Sequence, residues 1–221
     1  MKIKVCGLRH PNNVAAIHQL GVDFLGFVFH KASPRYAANE DLRAWLEEND
    51  EALGEVGRVG VFVNAEVDYI LNIVHDYRLN WVQLHGNESP GYCQELQLLW
   101  SVSTLQKAKI CKAFKVTPDF DFNQTNGYLN SCPLFVFDTG GQVTEGGTGE
   151  KWDWTLLDKY QGLTPFLLSG GIGPGDVQNI QSVKHPKIAG VDVNSAFETE
   201  PGLKDVDKLS QFISNLRLQE I

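Results

Sequence analysis

The stretch PFLLSGGIGPGDV, residues 165–177, passes from a short apolar run into Ser169-Gly170-Gly171 and then into a helix opening at Pro174 and Asp176. It reads as a buried strand that turns sharply into a helix. Two adjacent glycines let bare backbone N–H groups converge on one point. With the positive end of the following helix, those donors form a candidate phosphate site. An ordinary tight turn would use the same residues, so the deciding question is whether the rest of the chain repeats this strand-to-helix unit.

It does. Apolar, β-branched or aromatic runs recur at 3–5, 24–29, 59–63, 81–84, 110–114, 134–137, 166–168 and 188–193. Between them lie helical segments with start and stop signals. These are 11–20 closed by Gly21, 39–48, 66–77 with Asn64 as cap, 90–99 opened by Ser89-Pro90, 154–160, 174–182 and 205–218. Such alternation implies right-handed crossovers between parallel strands. Eight repeats in 221 residues predict a closed (β/α)8 TIM barrel forming a single domain over residues 1–221. A doubly wound open sheet would show the same alternation. Closure is favoured because no linker-like break interrupts the chain and one terminal helix follows the eighth strand. The fifth unit is the weakest: TPDFDFNQTNGYLN, residues 117–130, lacks a helical stripe and predicts a short or irregular helix.

Composition excludes several function classes. A formal net charge of -8 disfavours nucleic acid or an anionic membrane as partner. The N-terminal MKIKVCG runs straight into a strand with no apolar leader region, and no apolar run approaches a membrane span, so a soluble cytoplasmic protein is expected. Cys6, Cys93, Cys111 and Cys132 show neither a CxxC pair nor metal-ligand spacing, so reduced thiols are expected.

In such a barrel the chemistry sits at the carboxyl ends of the strands. In order these ends carry Cys6, then His30, Lys31 and Arg35, then Asn64, then Gln83 and His85. Asp138 follows the sixth strand, Ser169 the seventh, and Asp192, Asn194 and Ser195 the eighth. SGG and DVNSAFE would lie side by side and together match a phosphate cup, with Gly170, Gly171, Asn194 and Ser195 as its residues. A substrate anchored there is flanked by strands six and one, which end in Asp138 and Cys6. An acid on one side and a thiol on the other suit proton transfer across a bound sugar. Taken alone, Cys6 would read as a small buried apolar residue.

A thiol needs help to act as a base at neutral pH, and the cations near Cys6 in sequence are Lys4 and Arg9. Lys4 reads also as one half of an ion pair inside the barrel, with Asp192 on adjoining strand eight. Arg35, in the loop after strand two and away from the phosphate end, suits a bidentate clamp on a substrate carboxylate, or is a solvated loop charge. His85 would donate to the substrate or cap its strand. The glycine cluster of GGTGEKWDW, residues 146–154, suggests a second wall around the same phosphate, a lid hinged on its glycines, or a plain surface loop.

Together KVCGLR, GVDFLGFVF, SPRY, RVGVFVN, VQLHG, FVFDTGG, GGTGEKWDW, FLLSGGIGPGDV and VDVNSAFETEPGLKD resemble the phosphoribosylanthranilate isomerase family of tryptophan biosynthesis, over nearly the whole chain. The resemblance implies an aldose-ketose isomerase performing an Amadori rearrangement of N-(5-phosphoribosyl)anthranilate to 1-(2-carboxyphenylamino)-1-deoxyribulose 5-phosphate. No metal or redox cofactor is expected, and family members occur as monomers and homodimers. It further implies Asp138 as general acid, Cys6 as general base, Arg35 on the anthranilate carboxylate, and Gly170, Gly171, Asn194 and Ser195 on the phosphate. Ala196 departs from the commoner glycine in the last loop. The analogous histidine-pathway isomerase is the nearest rival, but Cys6 stands where that family carries an aspartate. A non-catalytic phosphosugar-binding barrel would need neither Cys6 nor Asp138.

Overall fold

The computed structural model describes residues 1–102, 107–139 and 152–218. The glycine cluster at 146–149 lies outside the described residues. Eight parallel strands close on themselves in sequence order: β1 Lys2–Val5, β2 Phe24–Val28, β3 Gly57–Phe62, β4 Trp81–Leu84, β5 Lys109–Val116, β6 Leu134–Thr139, β7 Phe166–Leu168 and β8 Ile188–Val193. The ring is sealed by β1 against β8, with Lys4 opposite Asp192 and Val5 opposite Val193. The open-sheet alternative is thereby excluded.

Side chains of alternate parity divide the strands' work. Ile3, Val5, Leu25, Phe27, Phe135, Phe137 and Val191 face outward into the large core beneath the helices. Phe24, Val59, Cys111, Ala113, Leu134, Val136 and Leu167 fill the barrel's interior. Lys4, Gln83 and Asp192 share that interior parity and are all buried. The same parity carries Cys6, His85 and Asp138 to the upper rim.

The helices are α1 Pro11–Gln19, α2 Glu40–Glu48, α3 Asp50–Leu53, α4 Val67–Asp76, α5 Pro90–Val102, α6 Val177–Ser182 and α7 Val206–Arg217. Proline opens α1, Asn39 Oδ1 accepts from Leu42 N to cap α2, and Asp205 Oδ1 accepts from Lys208 N to cap α7. Asn64 does not cap α4. It adopts a left-handed φ of 48° and its Oδ1 accepts from Asn87 N, tying the loop after β3 to the loop after β4.

Two units depart from regular helix. Phe122–Tyr128, the expected irregular fifth unit, is a 3-10 helix, and Trp154–Lys159 is one as well, where the sequence predicted an ordinary helix. The reason is the filling beneath them. Phe137 lies between Phe122, Tyr160 and Phe166, with ring centroids at 5.3, 5.1 and 4.9 Å. A few large rings bury what a longer aliphatic stripe would otherwise bury. After β8 the chain adds a small antiparallel hairpin, β9 Glu198–Glu200 with β10 Leu203–Lys204, turning at Gly202 with φ +91°.

Candidate active site

The carboxyl ends of β6, β7, β8 and β1 are neighbours around the rim. Gly170 and Gly171 both hold left-handed φ, +91° and +67°. A β-carbon at Gly170 would lie 2.1 Å from Thr139 Oγ1 and 2.9 Å from Asp138 Oδ1, so only glycine fits against the end of β6. The turn after β7 is thus packed directly on Asp138. The helix behind it begins differently from expectation. Its first turn, Pro174–Asp176, is 3-10, and Asp176 Oδ2 accepts from Gly173 N at 2.7 Å. The helix start is therefore served by its own carboxylate, and the left-handed backbone of Gly170 and Gly171 remains the candidate anion site of this turn.

Asp138 sits at the end of β6 with Oδ1 accepting from Thr139 N at 2.7 Å and Oδ2 at 3.2 Å from His85 Nε2. Gln83 Nε2 lies 2.8 Å from His85 Nδ1. An amide nitrogen only donates, so Nδ1 accepts and the ring proton lies on Nε2, aimed at Asp138. Burial would raise the Asp138 carboxyl, but the hydrogen bonds from His85 Nε2 and Thr139 N outweigh it and hold the carboxyl below the usual range.

Cys6 is buried at the end of β1, with its N donating to Val193 O at 2.9 Å. A β-carbon at Gly26 would meet Cys6 Sγ at 2.9 Å, so the second strand leaves room for the thiol by carrying glycine. Burial pushes the thiol up, while Lys4 and then Lys204 pull it down; the net direction is upward. Lys4 Nζ also donates to Asp192 Oδ2 at 2.7 Å, so the lysine both forms the pair and faces the thiol. Burial would lower the Lys4 ammonium, but Asp192 outweighs burial and keeps it charged. Arg9 turns away, donating to Pro34 O at 3.2 Å.

Arg35 lies beside Asn194, close to the end of β8, rather than apart from it as the sequence suggested. Both Asn194 Oδ1 and Arg35 Cδ would crowd a β-carbon at Gly7, at 2.5 and 2.7 Å. The guanidinium is held by Glu198: Nε reaches Oε1 at 2.9 Å and Nη2 reaches Oε2 at 2.6 Å. Lys204 Nζ donates to the same carboxylate at 2.6 Å and to Asn194 Oδ1 at 2.7 Å. Ser195 opens a short 3-10 turn over Ser195–Phe197 directly after Asn194.

The structure therefore gathers Cys6, Arg35 and Asn194 on one side of the rim, and Asp138, His85 and Gly170 on the other. Glu198 and Lys204 are the members that sequence reasoning missed. The available signal was EPG, residues 200–202, a turn that folds Lys204 back towards Glu198.

A closed parallel (β/α)8 barrel, with a thiol and a carboxylate at strand ends on either side of a glycine-lined rim, is the architecture of a barrel enzyme. Within that class, the chain belongs to the N-(5'-phosphoribosyl)anthranilate isomerase family, whose model matches residues 3–215. A relative of that name from Parabacteroides distasonis is 40% identical over 218 residues, covering 98% of this chain and 93% of its own. The phosphoribosyl anthranilate isomerase of Thermotoga maritima superimposes with a TM-score of 0.81 at 32% identity, over 98% of both chains. A crystal structure of such an isomerase in complex with reduced 1-(o-carboxyphenylamino)-1-deoxyribulose 5-phosphate matches with a TM-score of 0.77 at 31% identity, over 98% of both.

Proposed function

We propose that this chain isomerises N-(5'-phosphoribosyl)anthranilate to 1-(2-carboxyphenylamino)-1-deoxyribulose 5-phosphate, an Amadori rearrangement in the biosynthesis of tryptophan. The observation that carries the reading is the family match over residues 3–215. The ligand held by the similar solved structure, a reduced form of that ketose, supports it. The backbone of Gly170 and Gly171, with Asn194 and Ser195, anchors the phosphate, and Arg35 takes the aryl carboxylate. In keeping with this reading the chain works as one domain over residues 1–221, in the cytoplasm, as a monomer or homodimer. No helix among the described residues is long and apolar enough to cross a membrane.

Asp138 gives a proton to the ribose ring oxygen, the C1–O bond breaks, and the nitrogen lone pair forms the C1=N bond of a protonated Schiff base. Cys6 then takes the proton from C2, and the C–H electrons form C1=C2 while the C=N pair returns to nitrogen. The resulting enol amine gains a proton at C1 and loses one from its hydroxyl, giving the ketone. His85, fixed by Gln83, keeps the Asp138 carboxyl turned to the mouth between steps.

This scheme needs Asp138 protonated and Cys6 ionised, whereas the free site favours the reverse: Asp138 is held low and Cys6 is pushed up. The two arrangements contain the same number of protons, so their ratio does not change with pH. Activity is lost only when the pair gains a proton, below the lowered Asp138 value, or loses one, above the raised Cys6 value. The kcat/KM profile is therefore expected to show a plateau wider than the ordinary gap between aspartate and cysteine, about 3.9 to 8.5. Phosphate bound at the Gly170 turn, packed on Asp138, raises that carboxyl by like-charge repulsion and so favours the proton on the acid where it is used.

Incubation with phosphoribosylanthranilate, followed by loss of anthranilate-type fluorescence across pH, tests both statements. Turnover with a broad flat optimum is expected. Absence of turnover in every buffer would overturn the function. A narrow bell centred between ordinary values would overturn the proton arrangement.

A further inference from the structure

Arg35, Glu198 and Lys204 form a cluster that the acid–base chemistry does not use. Glu198 and Lys204 have side chains only 5% and 0% exposed, and Arg35 retains 11%. Burial on this scale is costly unless every charge finds a specific partner. Glu198 accepts from Arg35 Nε and Nη2 on one side, from Lys204 Nζ on another, and from Gly202 N at 3.1 Å. Arg35 Nη1 has no acceptor among the described residues and is not a buried atom. Among the described residues one edge of the guanidinium is occupied and the other has no acceptor.

The charge count points the same way. If Glu198 served Arg35 alone, the pair would be neutral and would hold little attraction for an anion. Because Lys204 shares that carboxylate, two cations face one anion and a positive charge remains, at the end of the cluster that Lys204 does not reach. Lys204 also binds Asn194 through both Oδ1 and the backbone O, so one ammonium fixes the Arg35 support and the loop after β8 together. Gly7, which admits only glycine between Asn194 and Arg35, closes the third side and places the cluster beside Cys6.

We propose that Glu198 is a specificity-determining positioning residue: braced by Lys204, it grips the Nε–Nη2 edge of Arg35 and so presents the Nη1 edge to the aryl carboxylate of the substrate. This rests on the functional reading above and deepens it, since it names what distinguishes a carboxylated arylamine from a plain one. The planar, five-donor fork of arginine suits this arrangement, because one guanidinium can serve two carboxylates on different edges. A lysine could not be aimed in this way.

The test compares phosphoribosylanthranilate with its aniline counterpart, which lacks the ring carboxylate, on wild type, Glu198→Gln, Glu198→Asp, Arg35→Ala and the double variant Arg35→Ala/Glu198→Gln. In Glu198→Gln the preference for the carboxylated substrate is expected to fall on the order of tenfold, through KM rather than kcat, in keeping with loss of an oriented charge-assisted contact. KM for the aniline counterpart should stay within about twofold, since that molecule never used the contact. Glu198→Asp should restore part of the preference, and it carries the comparison if Glu198→Gln does not fold. The double variant should show the same preference as Arg35→Ala alone, because Glu198 acts through Arg35. An unchanged preference with both KM values rising together would mean that Glu198 only holds the loop. A lowered KM for phosphoribosylanthranilate would mean that Glu198 competes with the substrate. Either result overturns the inference while leaving the isomerase reading intact; a wild type that turns over neither substrate overturns the reading itself and the inference with it.

Discussion

Asp138→Asn is expected to lower kcat by on the order of 10²-fold or more, with little change in thermal midpoint, because an amide keeps the shape of the side chain and its contact with His85 but has no proton to give. The environment of the carboxyl supports a large effect. Thr139 N, His85 and the Gly170 turn all meet Asp138, and no other carboxyl among the described residues stands at the end of β6. Cys6→Ser is expected to fall by a similar or greater factor. A hydroxyl fits the pocket that Gly26 leaves for the thiol, but it ionises far less readily, so the base is lost while the packing is kept. Steady-state rates with phosphoribosylanthranilate measure both. A near-normal kcat in either variant removes that residue from the mechanism.

Lys4→Met is expected to cost about 3 to 5 kcal/mol of folding stability, read by denaturant unfolding. The charge removed is buried, and its partner Asp192 would remain in the barrel without the ammonium that faces it; Asp192 Oδ1 has no hydrogen-bond partner among the described residues. Adding Asp192→Leu should recover most of the loss, since an apolar pair of similar size replaces an ion pair without leaving a lone charge. In the folded Lys4→Met protein, thiol titration should place Cys6 still higher, because Lys4 is the leading group pulling that thiol down. A loss of stability below about 1 kcal/mol would mean that the Lys4–Asp192 pair contributes no more than a surface pair does.

Much of the fold was legible in the sequence for a physical reason. Parallel strands covered on both faces are apolar over most of their length, and the eight runs stand out against amphipathic helices. Their alternating parity then carried Cys6 and Asp138 to one end of the barrel. What could not be read depends on contacts between distant parts of the chain. Trp154, Leu156, Leu157 and Tyr160 have helical spacing, and nothing local distinguishes a 3-10 turn over a cluster of rings from an ordinary helix. Asn64 looked like a cap because asparagine before a helix usually is one, yet its side chain serves Asn87 in the next loop. Arg35 was read as standing alone because its partner Glu198 lies 163 residues away. The Lys4–Asp192 pair was within reach, since adjoining strands one and eight place those residues opposite one another.

In the proposed reaction two groups act in sequence, Asp138 opening the ring and Cys6 taking the C2 proton. The most direct test is the single-turnover rate with phosphoribosylanthranilate deuterated at ribose C2, measured against the undeuterated substrate for Cys6→Ser and Asp138→Asn. A primary isotope effect is expected in Cys6→Ser, where proton removal from C2 limits the rate, and none in Asp138→Asn, where ring opening limits it. An isotope effect retained in Asp138→Asn and absent from Cys6→Ser would contradict the assignment of both roles.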